Sequence, residues 1–440
     1  MKKNMPRTRR LLALLILLAQ GGCDKPPDGP VSTRELVGDT LTVEIEGARA
    51  DTATLNPVWR ARILVGQEKS KGPEGRAPVE AMALDASGRL VAAVGGRLFR
   101  VSWDGSKLER LVRAPRMGEI TGLAGLPDGT LVVRADSVDR ILLLEETGSL
   151  LGEDTLRLGP PLDHRDALVV SDSGNLFVGL GPRYRIEEAS RRPLFLSMNS
   201  RLQALDTLFL PAHLSDACPF RPRRHFRAGR FEDLRARYYP MARWTLHPAG
   251  YLVAGCPEAY RFELLRPHTP LLRVQMNATP VRVPVRERHA FQGSWVKQMQ
   301  YGFRGELWGW EGPPVPEEKP FYHRLLAAGG GRVWVWPSAP SVPTPTPETW
   351  PLAGLPDTIW VEDLAGTFDV FDPEGELEGH VRLPAEIPYS PFLDIPDPIV
   401  RGDTIWAVTR DSTAAVSLAR YRVHWPDPGA EEIPAGGGRR

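Results

Sequence analysis

The feature that most constrains the fold of this chain is a repeated unit of a tight turn, a short strand, a break and a second strand. The turn glycines of the first three copies are Gly88, Gly129 and Gly174, so the spacing is 41 and then 45 residues. Each glycine is followed by an apolar run with β-branched residues, which is typical of a strand. A period of about 40 to 50 residues with several short strands per unit predicts a β-propeller.

Six copies of the unit are recognisable, so we expect an all-β, six-bladed β-propeller. The 43 prolines and 42 glycines favour short strands joined by turns over long helices. Neighbouring blades bury one another's faces, and a closed ring leaves only short, protected edges. A β-sandwich with chance spacing is the alternative. The strands that follow the six turns are Arg89–Val94, Thr130–Val133, Asn175–Val178, Tyr251–Ala254, Arg332–Trp336 and Ile405–Val408.

Closure of such a ring requires one more strand than the last copy supplies. That copy offers three strands, and an open ring would leave two unpaired edges. Two segments ahead of the first copy have the composition of strands, Thr40–Ile45 and Ala61–Val65. We therefore expect one of them to add to the last blade.

The N-terminus has the pattern of a secretory signal that ends in a lipidated cysteine. Five basic residues precede a nine-residue apolar run, Leu11–Ala19, and Gly21-Gly22 come directly before Cys23. The run is too short to span a bilayer. This arrangement resembles the lipobox of bacterial lipoproteins, which implies acylation of Cys23, although Gln20 stands where leucine is usual. A soluble exported protein with an incidental cysteine is the alternative.

Charge and cysteine content fit an exported protein. The formal net charge is +1, and removal of the five basic residues of the signal leaves the mature chain near −4. Nucleic acid is therefore not an expected partner, since phosphate binding needs a basic face. An oxidising compartment favours a disulfide between the two remaining cysteines, Cys218 and Cys256. Two buried free thiols are the alternative.

Long segments between the later copies predict insertions. The predicted boundaries are a signal peptide at 1–22, a tether at 23–39, a propeller at 40–425 with insertions at about 211–238 and 277–320, a proline-rich loop at 337–351 and a disordered tail at 426–440.

The first insertion contains five arginines within ten positions. Such a cluster predicts a site for an anionic ligand or a lipid headgroup. A solvated loop neutralised by Glu232 and Asp233 is the alternative. The arginines are Arg221, Arg223, Arg224, Arg227 and Arg230.

Two other segments have distinctive patterns. Phe291, Trp295 and Met299 recur every four residues within 287–301, which predicts a helix packed over the ring or offered to a partner. The prolines of 337–351 predict an extended loop without regular hydrogen bonding.

Several short elements of the chain have a recognisable pattern, namely Asp85–Leu90, Gly250–Val253, Tyr260–Phe262, Pro284–Arg288, Glu318–Phe321, Gly331–Val335 and Phe368–Asp372. They resemble elements of exported six-bladed β-propeller proteins, related to NHL-repeat propellers, of Gram-negative bacteria. The similarity extends from about Val79 to Val423, and it implies a fold rather than an activity.

The sequence contains no local motif for catalysis, metal binding or nucleotide binding. The nine histidines form neither His-x-His nor His-Glu-x-x-His, and Gly-x-Ser-x-Gly and Walker sequences are absent. Catalytic residues are unassigned, and no metal or cofactor is expected. Acidic residues such as Asp85, Asp128 and Asp172 are interpreted as turn formers.

These observations favour a non-catalytic binding or scaffolding propeller of the cell envelope. We expect a periplasm-facing monomer, tethered to the inner or outer membrane, that recognises a protein, peptide or glycan. A metal-dependent lactonase or hydrolase is the first alternative, because propeller ligands come from different blades and leave no local motif. A factor for the assembly of envelope proteins is the second.

Acylation of Cys23 gives the first testable prediction. Cys23→Ser should release the protein from the membrane fraction or leave the precursor uncut, because the thiol that carries the lipid is lost. Fractionation and immunoblotting check this, with Cys218→Ser as the control that should stay in the membrane fraction. Unchanged processing and membrane retention of Cys23→Ser would show that the cysteine is incidental.

Overall fold

The structure is a computed structural model in which most described residues form strands. The described residues are 31–46, 51–63, 79–111, 120–135, 140–155, 168–180, 193–218, 223–225, 231–233, 238–267, 269–302, 314–345, 358–362, 366–384, 386–387, 396–410 and 415–426.

Three strands come before the repeat. They are β1 (Val31–Val37), β2 (Thr40–Glu46) and β3 (Thr52–Arg62).

The repeat itself forms antiparallel units of four strands, numbered here in chain order. Unit 1 consists of β4 (Val79–Leu84), β5 (Leu90–Val94), β6 (Arg97–Val101) and β7 (Leu108–Arg110). Unit 2 consists of β8 (Ile120–Gly125), β9 (Leu131–Ala135), β10 (Arg140–Leu144) and β11 (Leu150–Thr155). Unit 3 consists of β12 (Leu168–Val170), β13 (Leu176–Gly179), β14 (Pro193–Met198) and β15 (Ala204–Phe209).

The later units are separated or interrupted by further elements. Helix α1 (Ala212–Ala217) and the hairpin of β16 (Arg223–His225) and β17 (Phe231–Asp233) follow unit 3. Unit 4 consists of β18 (Arg243–Leu246), β19 (Leu252–Gly255), β20 (Arg261–Leu265) and β21 (Leu271–Met276). Helix α2 (Val285–Gly302) follows it.

Unit 5 contains an inserted ribbon, and unit 6 takes its fourth strand from the N-terminus. Unit 5 consists of β22 (Tyr322–Ala327), β23 (Val333–Pro337), β26 (Thr367–Phe371) and β27 (Leu377–Arg382), with a ribbon of β24 (Ser341–Pro345) and β25 (Thr358–Glu362) between its second and third strands. Unit 6 consists of β28 (Ile399–Arg401), β29 (Thr404–Arg410), β30 (Val416–His424) and β3.

Side chains that accept hydrogen bonds from their own backbone form the tight turns. The Asp85 carboxylate accepts from the amides of Ser87 and Arg89, at 3.0 and 2.9 Å, and Gly88 adopts a φ of +82° that other residues rarely take. Asp128 accepts in the same way from the Thr130 amide, at 2.9 Å. These contacts confirm that Asp85 and Asp128 are turn formers.

Buried apolar clusters join each unit to the next and the last unit to the first. Val91 and Val133 belong to the cluster between units 1 and 2, and corresponding clusters follow around the chain. Leu90 of unit 1 packs in one cluster with Trp406 and Leu418 of unit 6. The sheets therefore bury one another's faces in a closed series, which is the arrangement of a β-propeller.

Closure depends on β3. It pairs antiparallel with β30 from Thr54 opposite His424 to Arg62 opposite Ser417. The expectation that a strand from before the first repeat completes the last unit is therefore confirmed. Of the two candidate segments, the one that begins at Ala61 supplies the end of β3, whereas the segment 40–45 lies in β2 and pairs parallel with β21 of unit 4.

The N-terminal segment as a whole follows the outer strands of three units. β2 lies beside β21 in unit 4, Thr52 and Ala53 pair parallel with β27 in unit 5, and the rest of β3 pairs with unit 6. Residues 31–37, predicted as part of the tether, form β1 and pair with β2. These residues therefore extend the sheet of unit 4 outward by one strand beyond β2.

The proline-rich loop also differs from the prediction. Residues 341–345 form β24 and pair with β25, so this part has regular hydrogen bonding. Pro343 and Pro345 are separated by one residue on an edge strand, so both rings lie on the same side of the strand. The backbone N–H groups of the residues beside them remain available for pairing.

Several predicted segments lie outside the described residues. They include the signal peptide with Cys23 and residues 427–440 of the tail. Among the described residues, no helix is long and apolar enough to cross a membrane.

Ring closure gives the second testable prediction. Deletion of residues 24–66 should abolish cooperative unfolding or cause aggregation, because β30 loses its partner and the cluster between units 6 and 1 loses Ala61. Deletion of residues 24–50 is the matched control, since it removes β1 and β2 and keeps β3. We expect the shorter deletion to lower the unfolding midpoint while cooperativity persists, as measured by circular dichroism and calorimetry. Equal behaviour of the two truncated proteins would contradict closure by β3.

Candidate functional site

The two ends of the ring are built differently. Because the strands of each unit alternate in direction, first-to-second and third-to-fourth turns lie at one end, which we call the turn end. Unit-to-unit connections and second-to-third connections lie at the other. All the inserted elements lie in connections at this other end of the ring. They are helix α1 with the β16–β17 hairpin, helix α2, and the β24–β25 ribbon. We call this the insertion end, and loops carried by a rigid scaffold are the usual place for binding residues.

Three first strands contain a bulge at the same position near the insertion end. The pairing register shifts between Val79 and Ala81, between Ile120 and Gly122, and between Tyr322 and Arg324. The extra residues are Glu80, Thr121 and His323. Bulges re-aim side chains and are common beside functional sites, so this level of the ring presents polar groups on strands whose remaining residues are mostly apolar.

The contacts of Glu80 tie unit 1 to unit 2. Its carboxylate accepts from the Gly96 amide at 3.1 and 3.2 Å and from the Ile120 amide at 3.0 Å. Gly96 closes the turn after β5, and Ile120 begins β8. The carboxylate therefore fixes the start of the neighbouring first strand.

The most extensive polar group at this end is a buried set that we call the Lys319 cluster. It brings together residues from α2, from the segment before unit 5, from β22 and from the β24–β25 ribbon. Its members are Tyr238, Glu287, Lys319, His323, Ser338 and Glu362.

Lys319 is the centre of this cluster, and its ammonium group is fully buried. It donates to the Ala339 carbonyl at 2.6 Å, to Ser341 Oγ at 2.6 Å and to Glu362 Oε1 at 2.8 Å. Glu287 Oε1 lies 3.9 Å away on α2. An ammonium group has three protons, so these three acceptors use all of them.

A short ladder of backbone bonds positions Lys319. Its amide donates to the Val281 carbonyl at 2.8 Å, and the Val283 amide donates to the Glu317 carbonyl at 2.7 Å. The two ends of the segment around α2 are thereby held side by side. The backbone thus places the ammonium group between the helix and the ribbon.

His323 links the cluster to the first strand of unit 5. Its Nε2 lies 2.7 Å from Glu362 Oε2 and 3.1 Å from Ser338 Oγ. The Ser338 hydroxyl donates to the Pro320 carbonyl. A Ser-His-acid relay uses one ring nitrogen for the nucleophile and the other for the acid. Here both contacts fall on one nitrogen and the serine proton is directed elsewhere, so the group holds its members in place.

Glu287 is completely buried at the start of α2. Its Oε1 accepts from the Tyr238 hydroxyl at 2.8 Å, and its Oε2 has no hydrogen-bond partner among the described residues. A carboxylate at a helix N-terminus is favoured by the helix dipole. The Tyr238 ring meets Phe291 of α2 edge-on, with centroids 4.9 Å apart.

The residues singled out in the sequence have different positions. Cys218 and Cys256 form a disulfide, with Cα atoms 5.6 Å apart. It joins the residue after α1 to the residue after β19, so it ties the first insertion to unit 4. The predicted helix over 287–301 is present as α2, and Phe291 packs against Tyr238.

The arginine cluster is only partly described. Arg223 and Arg224 lie in β16, whereas Arg221, Arg227 and Arg230 lie outside the described residues, as does Cys23. An anion site at these arginines therefore stays a prediction.

The sequence analysis missed the Lys319 cluster and the bulge residues. Glu80, Thr121 and His323 interrupt apolar runs at matching places in three copies, and that was the signal for the bulges. No comparable signal joins Glu287, Lys319 and Glu362, because their contact depends on three separate insertions. Within the described ranges, no group of three or more His, Cys, Asp or Glu side chains is arranged to hold a metal ion.

The charge balance of this cluster gives the third testable prediction. Lys319→Met should lower the free energy of unfolding by about 3 to 5 kcal/mol, because it leaves buried carboxylates without their cation. Lys319→Met combined with Glu362→Gln should recover part of that loss. Lys107→Met, at an exposed turn, is the control and should change stability by less than about 0.5 kcal/mol. Chemical denaturation measures all three, and a neutral Lys319→Met would show that the cluster does not support the fold.

Comparisons with known proteins give structural likenesses only. No protein-family model matches the chain, and no curated protein matches its sequence. A member of the DUF4221 family from Bacteroides vulgatus matches 86% of this chain and 98% of its own, with 10% identity and a TM-score of 0.48. A predicted exported protein from Bacteroides fragilis matches 88% of this chain and 100% of its own, with 8% identity and a TM-score of 0.44.

An enzyme is also among the similar structures. Virginiamycin B lyase from Staphylococcus aureus matches 83% of this chain and 99% of its own, with 10% identity and a TM-score of 0.38. At these identities and TM-scores, the likenesses transfer no activity to this chain.

Proposed function

We propose that this protein is an exported six-bladed β-propeller, anchored to a membrane through acylated Cys23, that binds a partner at its insertion end without catalysing a reaction. Six four-stranded units in the described residues and the apolar cluster between units 6 and 1 support the count of blades. The signal, the apolar run and Gly21-Gly22-Cys23 support the anchor.

The observation that supports the binding role is that the polar groups of the Lys319 cluster already bond to fixed acceptors within the protein. Lys319 gives all three protons to fixed acceptors, and the Ser338 hydroxyl donates to a backbone carbonyl. These side chains hold α2 and the ribbon on the ring. A rigid set of insertions is a preformed surface, and preformed surfaces lose less conformational entropy on binding.

Apolar groups on these insertions provide contact area for a partner. Val285 at the start of α2 is 54% exposed, and Val342 on β24 is 52% exposed. We propose that these two side chains belong to the surface that the partner contacts. An envelope protein, a peptide or a glycan is the proposed class of partner, and the protein is proposed to act as a monomer.

The alternative function is a metal-dependent lactonase or hydrolase. That reading requires carboxylates that converge with free oxygens near the axis of the ring. Glu80 is the carboxylate on a first strand closest to this requirement, and its oxygens accept from Gly96 and Ile120. The geometry of Glu80 therefore favours a structural role. A factor for the assembly of envelope proteins is a special case of binding and is tested by the same experiment.

Site-specific photo-crosslinking in cells tests the proposal. A photoreactive amino acid at position 285 or 342 should give a discrete crosslinked partner. The same residue at position 150 or 205, where exposed leucines lie on outer strands of units 2 and 3, should not. Equal crosslinking at all four positions would contradict a binding role of the insertion end.

An activity measurement distinguishes the enzymatic alternative from a binding function. The purified mature protein should show no turnover of lactones or esters with Ca²⁺, Mg²⁺ or Zn²⁺ present. Turnover that Glu80→Gln abolishes and Asp128→Asn leaves unchanged would replace the binding function by an enzymatic one.

A further inference from the structure

One turn at the turn end of the ring is closed by a histidine. It is the first-to-second turn of unit 4, His247-Pro248-Ala249-Gly250, which joins β18 to β19 and which we call the His247 turn. His247 Nδ1 accepts a hydrogen bond from the Ala249 amide at 3.0 Å, and the Gly250 amide donates to the His247 carbonyl at 2.8 Å. His247 is 2% exposed, so the imidazole is shielded from water.

An aspartate occupies the same turn position in unit 1. Asp85 and His247 each come three residues before the turn glycine, and each accepts from the amide two residues later. A carboxyl group keeps an acceptor oxygen in both of its protonation states, whereas Nδ1 of a charged imidazolium is only a donor. The His247 turn is therefore closed only by a neutral imidazole whose proton is on Nε2.

The surroundings of this imidazole oppose a positive charge. It stacks on the Tyr251 ring, with centroids 4.3 Å apart, and the Arg266 guanidinium lies over the same ring, 5.3 Å from its centroid. Burial and the charge of Arg266 lower the pKa of His247 to about 4. The charge of Asp172, on the neighbouring turn of unit 3, and the Ala328 backbone of unit 5 oppose this shift in part.

The His247 turn also joins unit 4 to unit 3. The Pro248 carbonyl accepts from the Asp172 amide at 2.6 Å, and Asp172 lies in the first-to-second turn of unit 3. Gly250 has a φ of +86° and lies beside Ser171 of that neighbouring turn. A change in the conformation of the His247 turn would therefore disturb a contact between two units of the ring.

We propose that the His247 turn is an acid-sensitive switch at the turn end of the ring. While His247 is neutral, its Nδ1 closes the turn, and the Pro248 carbonyl stays bonded to unit 3. Uptake of one proton converts Nδ1 from an acceptor to a donor, so that two N–H groups face each other and the turn opens. Histidine is the usual residue of such switches, because its charge changes closest to neutral pH. The switch lies at the opposite end of the ring from the proposed binding surface and is independent of it.

The direction of the pH dependence follows from the state that binds the proton. An unfolded histidine has a pKa of about 6.5, whereas the pKa of folded His247 is about 4. Between these values the state with an exposed imidazole holds more protons, so the stability of the closed turn falls as the pH falls. The contribution of His247 is fully present above about pH 6.5 and is lost by about pH 4.

Chemical denaturation of the purified mature protein at about pH 7.5 and about pH 4.5 tests the switch. In the wild-type protein, His247 should raise the equilibrium constant for unfolding by on the order of a hundredfold between these values. His247→Asn should remove this increment, because the Asn oxygen can accept from the Ala249 amide and does not titrate. His289→Asn is the matched control at an exposed position of α2, and it should keep the wild-type pH dependence. Carboxylates contribute equally to all three proteins, so the comparison isolates His247.

Hydrogen exchange in the wild-type protein gives a second test that needs no variant. After correction for the intrinsic pH dependence of exchange, the amides of residues 247–251 should open more often at the lower pH. The turn of Asp85 and Gly88 is the internal control, because its acceptor is a carboxyl group. Its opening should change less than that of the His247 turn.

Two results would overturn the inference. One is the same ratio of unfolding constants at the two pH values in the wild-type and His247→Asn proteins. The other is an equal change in the opening of the two turns. Crosslinking at positions 285 and 342 would still be expected after either result, because those positions lie at the insertion end.

Discussion

The pairing of β3 with β30 is the interaction on which the remaining structure depends. Each unit has two apolar faces and can bury both only when it has a neighbour on each side. The cluster between units 6 and 1 exists because β3 completes unit 6 and contributes Ala61 to it. An N-terminal strand therefore completes the last unit, and its pairing must offset the entropic cost of bringing together segments that are distant in sequence. The path of β2 and β3 along units 4, 5 and 6 strengthens the same closure from outside.

In a closed ring of this kind, the two ends of the axis can serve different purposes, one for stability and the other for function. The turn end consists of short turns whose side chains bond to their own backbone, as in the turn of Asp85 and Gly88. The insertion end accepts long segments because they leave the strand pairing intact. The disulfide fixes the first of these segments to unit 4, and the Lys319 cluster fixes the helix and the ribbon to unit 5. Binding residues can vary at this end without disturbance of the core.

Buried charge at the insertion end has a structural cost and a structural use. Desolvation of Lys319, Glu287 and Glu362 offsets much of their mutual attraction, so the cluster adds less stability than its contacts suggest. Its contacts are specific, however, because two acceptors of the Lys319 ammonium, Ser341 and Glu362, lie on the ribbon and the third, the Ala339 carbonyl, lies just before it.

The sequence by itself determined the features that depend on neighbouring residues. The period of turn glycines, the strands that follow them, the helix over 287–301 and the turn roles of Asp85 and Asp128 are local, because each depends on hydrogen bonds or faces within a few residues. The disulfide was also predictable, since Cys218 and Cys256 are the two cysteines that follow Cys23 in the sequence. Tertiary structure decided which N-terminal segment closes the ring, that residues 341–345 pair with 358–362 and that Lys319 lies between Glu287 and Glu362. These contacts join residues distant in sequence, and their partners follow from the direction and packing of whole sheets, which no local pattern encodes.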